Sequence, residues 1–186
     1  MNFQQGVSLL ILGLIHLTFL LTLGIDNSVS NSVRAVLIPS LALLIIAYVR
    51  IPRSNQQHSK IELFLTPFLV AAATGLTYYI SVDLRLGPVI ASAAIGLAAS
   101  YLPNLVELFR KRSNIVNTLP AAIYCGTFAG MSSSFVAPDY FVVSYIGLAT
   151  GAIYMLTRQA LNGVGGKLGT IAFGGVFIVS LIYSAL

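Results

Sequence analysis

Tryptophan is absent from this 186-residue chain, cysteine occurs once, and only 8% of residues are charged. A globular domain carries roughly 25% charged residues, so a chain with so few could not cover a soluble surface. The single Cys125 excludes an intrachain disulfide and any cysteine-rich metal cluster. Five carboxylates are scattered through the chain and no HExxH occurs, so neither a di-aspartate nor a zinc-protease site can be assembled from sequence neighbours. No nucleophile–base pattern is legible around His16 or His58, and no catalytic residue is expected. Metal and cofactor are expected to be absent.

What the chain has instead is apolar length. Hydrophobic residues make up 57% of it, in runs that approach or exceed the roughly 20 residues needed to cross a hydrocarbon core. The expected fold class is all-α, a polytopic transmembrane helix bundle forming a single domain over residues 1–186 with no extramembrane domain. Breaking the runs at polar clusters predicts seven spans: Val7–Ile25, Val33–Val49, Ile61–Ile80, Gly87–Leu102, Ile115–Val136, Tyr140–Thr157 and Leu168–Leu186. The first run lacks a positive n-region and a small-residue cleavage site, so it reads as a membrane helix and not a secretory signal.

The net charge of +5 would suggest nucleic acid if the basic residues formed one patch, but they sit in short loops between apolar runs. Placing the N-terminus in the cytoplasm puts Arg50, Arg53, Lys60, Arg110, Lys111, Arg112, Arg158 and Lys167 inside, leaving Arg34 and Arg85 outside. Asp26, Asp83 and Asp139 fall outside with the C-terminus. The expected location is the cell (plasma or inner) membrane, with lipids as the obligatory partner and no nucleic acid.

An internal echo runs through the middle of the chain. IGLAAS at 95–100 in the fourth span resembles IGLATG at 146–151 in the sixth, and each is preceded by a proline in the span before it, Pro67 and Pro120. The third and fourth spans and the fifth and sixth therefore read as a parallel two-helix repeat. Small residues four apart recur: Gly126 and Gly130, Gly147 and Gly151, Gly165 and Gly169, and the row Ser92, Gly96, Ser100. Such spacing lets helix backbones approach closely, and tight packing is the expected role.

The polar interior candidates are few. His16 is the one imidazole near mid-membrane, read either as a proton-sensing or path group or as a neutral ring bonded to a neighbouring helix. Pro67 and Pro120 each free a backbone carbonyl. The stretch YCGTFAGMSSS adds Tyr124, Thr127, Ser132, Ser133 and Ser134, hydroxyls that could line a path or bond their own backbone. The loop NGVGGKLGT fails as a phosphate loop, because Leu161 stands where the first glycine belongs and Leu168 follows Lys167 in place of a hydroxyl. Lys167 remains a candidate for an anion or lipid headgroup on the inner side.

Two functions follow as expectations. One is a channel or transporter for an ion or small polar solute. The other is an anchoring subunit of a membrane complex or homo-oligomer, assembled through small-residue helix faces.

Overall fold

The computed structural model describes residues 3–25, 30, 35–36, 60–109, 114–157, 160 and 165–185. Six helices account for nearly all of them: α1 (Phe3–Ile25), α2 (Lys60–Tyr78), α3 (Pro88–Phe109), α4 (Asn114–Ala129), α5 (Tyr140–Thr157) and α6 (Lys167–Ala185). There is no strand among the described residues. Five of the helical segments are long and apolar enough to cross a membrane: Gly6–Ile25, Leu65–Asp83, Pro88–Glu107, Tyr140–Thr157 and Lys167–Ala185. This is a helical membrane protein. The expected span Val33–Val49 lies, apart from residues 35–36, outside the described residues, as do Arg50, Arg53, Arg110, Lys111, Arg112 and Arg158.

Several helix limits differ from the hydropathy reading: α1 begins at Phe3 and not at Val7, and three others have a local cause or change the packing. α4 stops at Ala129 and not at Val136, because the chain turns at Gly130: Met131 N–H bonds Phe128 O and Ser132 N–H bonds Ala129 O, the tightened pattern of a helix end. Hydropathy cannot register this end, since Met131, Phe135 and Val136 keep the window apolar. α3 continues past Leu102 to Phe109 through Pro103. α2 runs into a wider π turn over Tyr79–Asp83, in which Leu84 N–H reaches Tyr79 O at 3.1 Å. The chain then reverses through Arg85 (φ 54) and Gly87 (φ 84).

α2 is the hub. It packs most extensively against α5 and next against α4, while α3 lies chiefly on α4, and α1 lies on α5 and α6. Registers fix the directions. Gly147 and Gly151 meet Ala71 and Pro67, so α5 runs antiparallel to α2; Gly126 and Gly130 meet Val70 and Thr74, so α4 runs parallel to it. Gly96 lies on Tyr124 and Ser92 bonds Thr127, making α3 antiparallel to α4. Thr150 faces Gly175 and Ile153 faces Gly174, making α6 antiparallel to α5. Contacts of His16 with Thr170 and of Phe19 with Phe173 set α1 parallel to α6.

Inside hydrocarbon the apolar side chains gain little by leaving lipid, so close dispersion contact and hydrogen bonds hold such helices together. The glycines on α4 and α5 make that contact possible. A Cβ on Gly130 would sit 2.5 Å from Thr74 O, one on Gly147 2.5 Å from Ala71 Cα, and one on Gly151 2.6 Å from Pro67 Cα. Gly126 presses on Val70 O in the same way. These obstacles are backbone, which cannot rotate aside.

Gly126→Ala is therefore expected to cost about 1–3 kcal/mol of stability in detergent by overpacking. Gly75→Ala, where a Cβ meets nothing within 4 Å, should be neutral or gain about 0.5–1 kcal/mol from reduced chain entropy. Denaturant or thermal melts of the two variants test this, and equal effects would contradict it.

Candidate functional site

The path-lining candidates that lie within helices fall into three separate places. Pro67 lies half-buried on α2 against Gly151, within the α2–α5 contact. Tyr124 and Thr127 lie on α4 facing α3: the Tyr124 ring occupies the space beside Gly96, and the buried Thr127 hydroxyl donates to Tyr124 O at 2.8 Å while accepting from Ser92 Oγ at 3.1 Å. Pro120 is a half-buried interior residue of the same helix. His16 stands apart between α1 and α6.

The serines occupy none of these helix contacts. Ser132 lies past the end of α4 and donates to Ala129 O at 2.8 Å; Ser133 and Ser134 are exposed in the loop that follows. Ser133 O accepts from Val136 N–H and Ala137 N–H, so this segment is a stack of turns. Four of the predicted glycines, Gly126, Gly130, Gly147 and Gly151, contact α2, and Gly96 contacts α4. Gly165 and Gly169 do not share this role: a Cβ on either would meet nothing within 4 Å. Lys167 opens α6, half-buried, directly after Gly166 (φ 85), and Cys125 Sγ lies 3.5 Å from Leu168 O at the same helix start.

Most buried hydroxyls are used locally. Thr74 donates toward Val70 O at 2.8 Å and Gly126 O at 3.1 Å, a hydrogen bond shared between its own helix and α4. Thr77 bonds Ala73 O and Thr157 bonds Ile153 O, the i−4 pattern by which threonine satisfies itself in a helix. Ser8 ties α1 to the end of α5 through Leu156 O at 2.5 Å. Thr150 and Ser180 are exceptions: both hydroxyl oxygens are buried without a hydrogen-bond partner, that of Thr150 against Gly175.

At one end of the bundle the π turn meets the loop after α4. Tyr78 donates to Ala137 O at 2.6 Å, Tyr140 donates to the Asp83 carboxylate, and the two rings meet edge to face at 5.7 Å. Asp139 caps α5 by accepting from Val142 N–H at 2.8 Å. The Pro138–Asp139 pair was a legible signal for that cap, whereas the two tyrosine bonds join residues 57 and 59 positions apart and leave no local trace. Thr74 and Thr170 carried no mark in the sequence that separated them from other helical threonines.

No metal-holding group of three or more His, Cys, Asp or Glu residues occurs among the described residues. Comparison with protein-family models, with curated proteins and with solved structures returned no match.

Tyr78→Phe should remove the bond to Ala137 and loosen the loop, at a cost of about 0.5–1.5 kcal/mol. Amide hydrogen exchange at Val136 and Ala137 should speed up while that of α5 stays slow; unchanged exchange would show the tie to be inert.

Proposed function

We propose that the chain is a small channel or transporter, passing an ion or small polar solute between two parallel two-helix units, α2–α3 and α4–α5. One observation carries this reading. Residues at equivalent places in the two units face each other across the α2–α4 seam: Gly126 meets Ala73, each six residues after its proline, and Gly130 meets Thr77, each ten residues after. The outer helices obey the same rule, since Gly147 lies on Ala71, four after Pro67, and Gly96 lies on Tyr124, four after Pro120. The second helix of each unit thus packs on the first helix of the other.

That exchange describes a pseudo-two-fold axis running along the seam, parallel to the helices. Parallel repeats about an axis normal to the membrane are an architecture of transport proteins, in which one unit rocks against the other. A seam built from glycine, alanine and threonine suits such motion because few side chains interlock across it. In the present conformation it is closed, Gly126 and Gly130 pressing directly on carbonyls of α2.

Seven spans are part of the same proposal. α1 and α2 run in the same direction, which calls for one return crossing between them, and the apolar run Val33–Val49 has the length for it. The positive-inside bias then sets the N-terminus in the cytoplasm and the C-terminus outside, in the cell membrane.

A second reading, an anchoring subunit of a larger complex, draws support from the local use of the buried hydroxyls and from the unpacked side of α3, where Leu97 and Tyr101 are more than half exposed. Reconstituted liposomes separate the two. Transport predicts flux of an ion or small polar solute that Ala73→Leu abolishes in a folded protein, with Ser134→Cys labelled from the outer face. A chain inert across ions and small solutes, and co-purifying with a membrane partner, contradicts transport.

A further inference from the structure

Gly169 has, like Gly13, Gly24 and Gly75, no packing reason to be a glycine. It lies inside α6, its φ is not positive, and a Cβ would meet nothing within 4 Å. A glycine inside a helix costs stability relative to alanine. The open space beside it is a partly enclosed cavity of about 290 Å³ between α1 and α6, lined by Ile15, His16, Phe19, Gly169, Thr170 and Phe173. That volume is close to the lower end of ligand pockets, roughly 300–1,000 Å³, and its mixture of apolar walls with two convergent polar groups is the composition such pockets have.

The hydrogen bonding in the cavity is directional. His16 Nδ1 lies 2.9 Å from Leu12 O; a carbonyl can only accept, so Nδ1 carries the proton. In the neutral ring Nε2 then accepts, and the donor is the Thr170 hydroxyl at 2.9 Å. Thr170 Oγ1 also lies 3.2 Å from Gly166 O, so its one proton is shared between that carbonyl and His16, and the oxygen retains lone pairs as an acceptor beside Phe19 and Phe173, whose rings meet edge to face at 5.2 Å.

We infer that this cavity is a binding site for a small, uncharged amphiphile bearing one hydroxyl group. The hydroxyl donates to Thr170 Oγ1, and the apolar body fills the space beside Gly169, between Ile15, Phe19 and Phe173. Water occupies about 30 Å³ per molecule in the liquid, so the space suits a body of about ten non-hydrogen atoms. An anion is excluded by the lack of a cationic group on the cavity wall while His16 is neutral, and a bare hydrocarbon would leave the Thr170 acceptor unanswered. The site is independent of the transport reading, since it lies on the α1–α6 contact and not on the α2–α4 seam.

Fluorine NMR of the purified chain in micelles, titrated with para-trifluoromethylphenol, tests the assignment. Saturable binding is expected, about tenfold weaker in Thr170→Val, which keeps the shape and removes the acceptor. Gly169→Leu, which fills the space, should abolish it, and trifluorotoluene, lacking the hydroxyl, should bind about tenfold more weakly than the phenol. Wild-type melting temperatures certify the variants, with Gly169→Val replacing Gly169→Leu if the latter fails to fold. Non-saturable partitioning, equal binding by a folded variant, or equal binding of the two probes overturns the proposal.

Discussion

The close approach of two glycine faces to adjacent sides of α2, which share Thr74, is the constraint from which the rest of this bundle follows. Gly126 and Gly130 bring α4 onto the carbonyls of Val70 and Thr74, and Gly147 and Gly151 bring α5 onto Ala71 and Pro67. Within lipid no hydrophobic gain separates a buried leucine from an exposed one, so the bundle depends on how near its backbones can come. Thr74 then spans the seam with a hydrogen bond available only at that separation, reaching Gly126 O at 3.1 Å. α3 and α6 are placed in turn by the outer faces of α4 and α5, through Gly96 under Tyr124 and Gly175 against Thr150.

The same constraint explains why most described hydroxyls of the interior do not meet in one polar chamber. A helix pressed backbone to backbone leaves no room for water, so Thr77, Thr127 and Thr157 turn to carbonyls of their own helices. Thr150, pressed against Gly175, makes no such bond, and its hydroxyl is left unpaired in the core. Polar character is concentrated instead at the bundle end, where Tyr78, Asp83, Asp139 and Tyr140 tie the π turn to the loop before α5, and beside His16 between α1 and α6.

Much of this was legible in the sequence, for reasons that differ from element to element. Membrane helices are announced by apolar length, and α5 begins and ends where hydropathy puts it, at Tyr140 and Thr157. Glycine spacing located the faces of α4 and α5 but could not say what they touch, because GxxxG at Gly165 and Gly169 has the same spacing and touches nothing. The end of α4 was hidden because the serines after it are flanked by apolar residues, and a window averages over a turn that three backbone bonds define. The partners Ala73, Thr74, Thr77 and Thr170 were hidden for another reason: long-range contact between ordinary small residues writes no local pattern.

The account stands on the α2–α4 seam, and the most direct measurement leaves it unmutated. Solid-state NMR of the chain in lipid bilayers, labelled at glycine Cα, alanine Cβ and threonine Cβ, should give through-space cross-peaks between Gly126 Cα and Ala73 Cβ and between Gly130 Cα and Thr77 Cβ. Absence of both, in a sample where Gly147 Cα still correlates with Ala71 Cβ, would contradict the paired seam and with it the two-unit architecture.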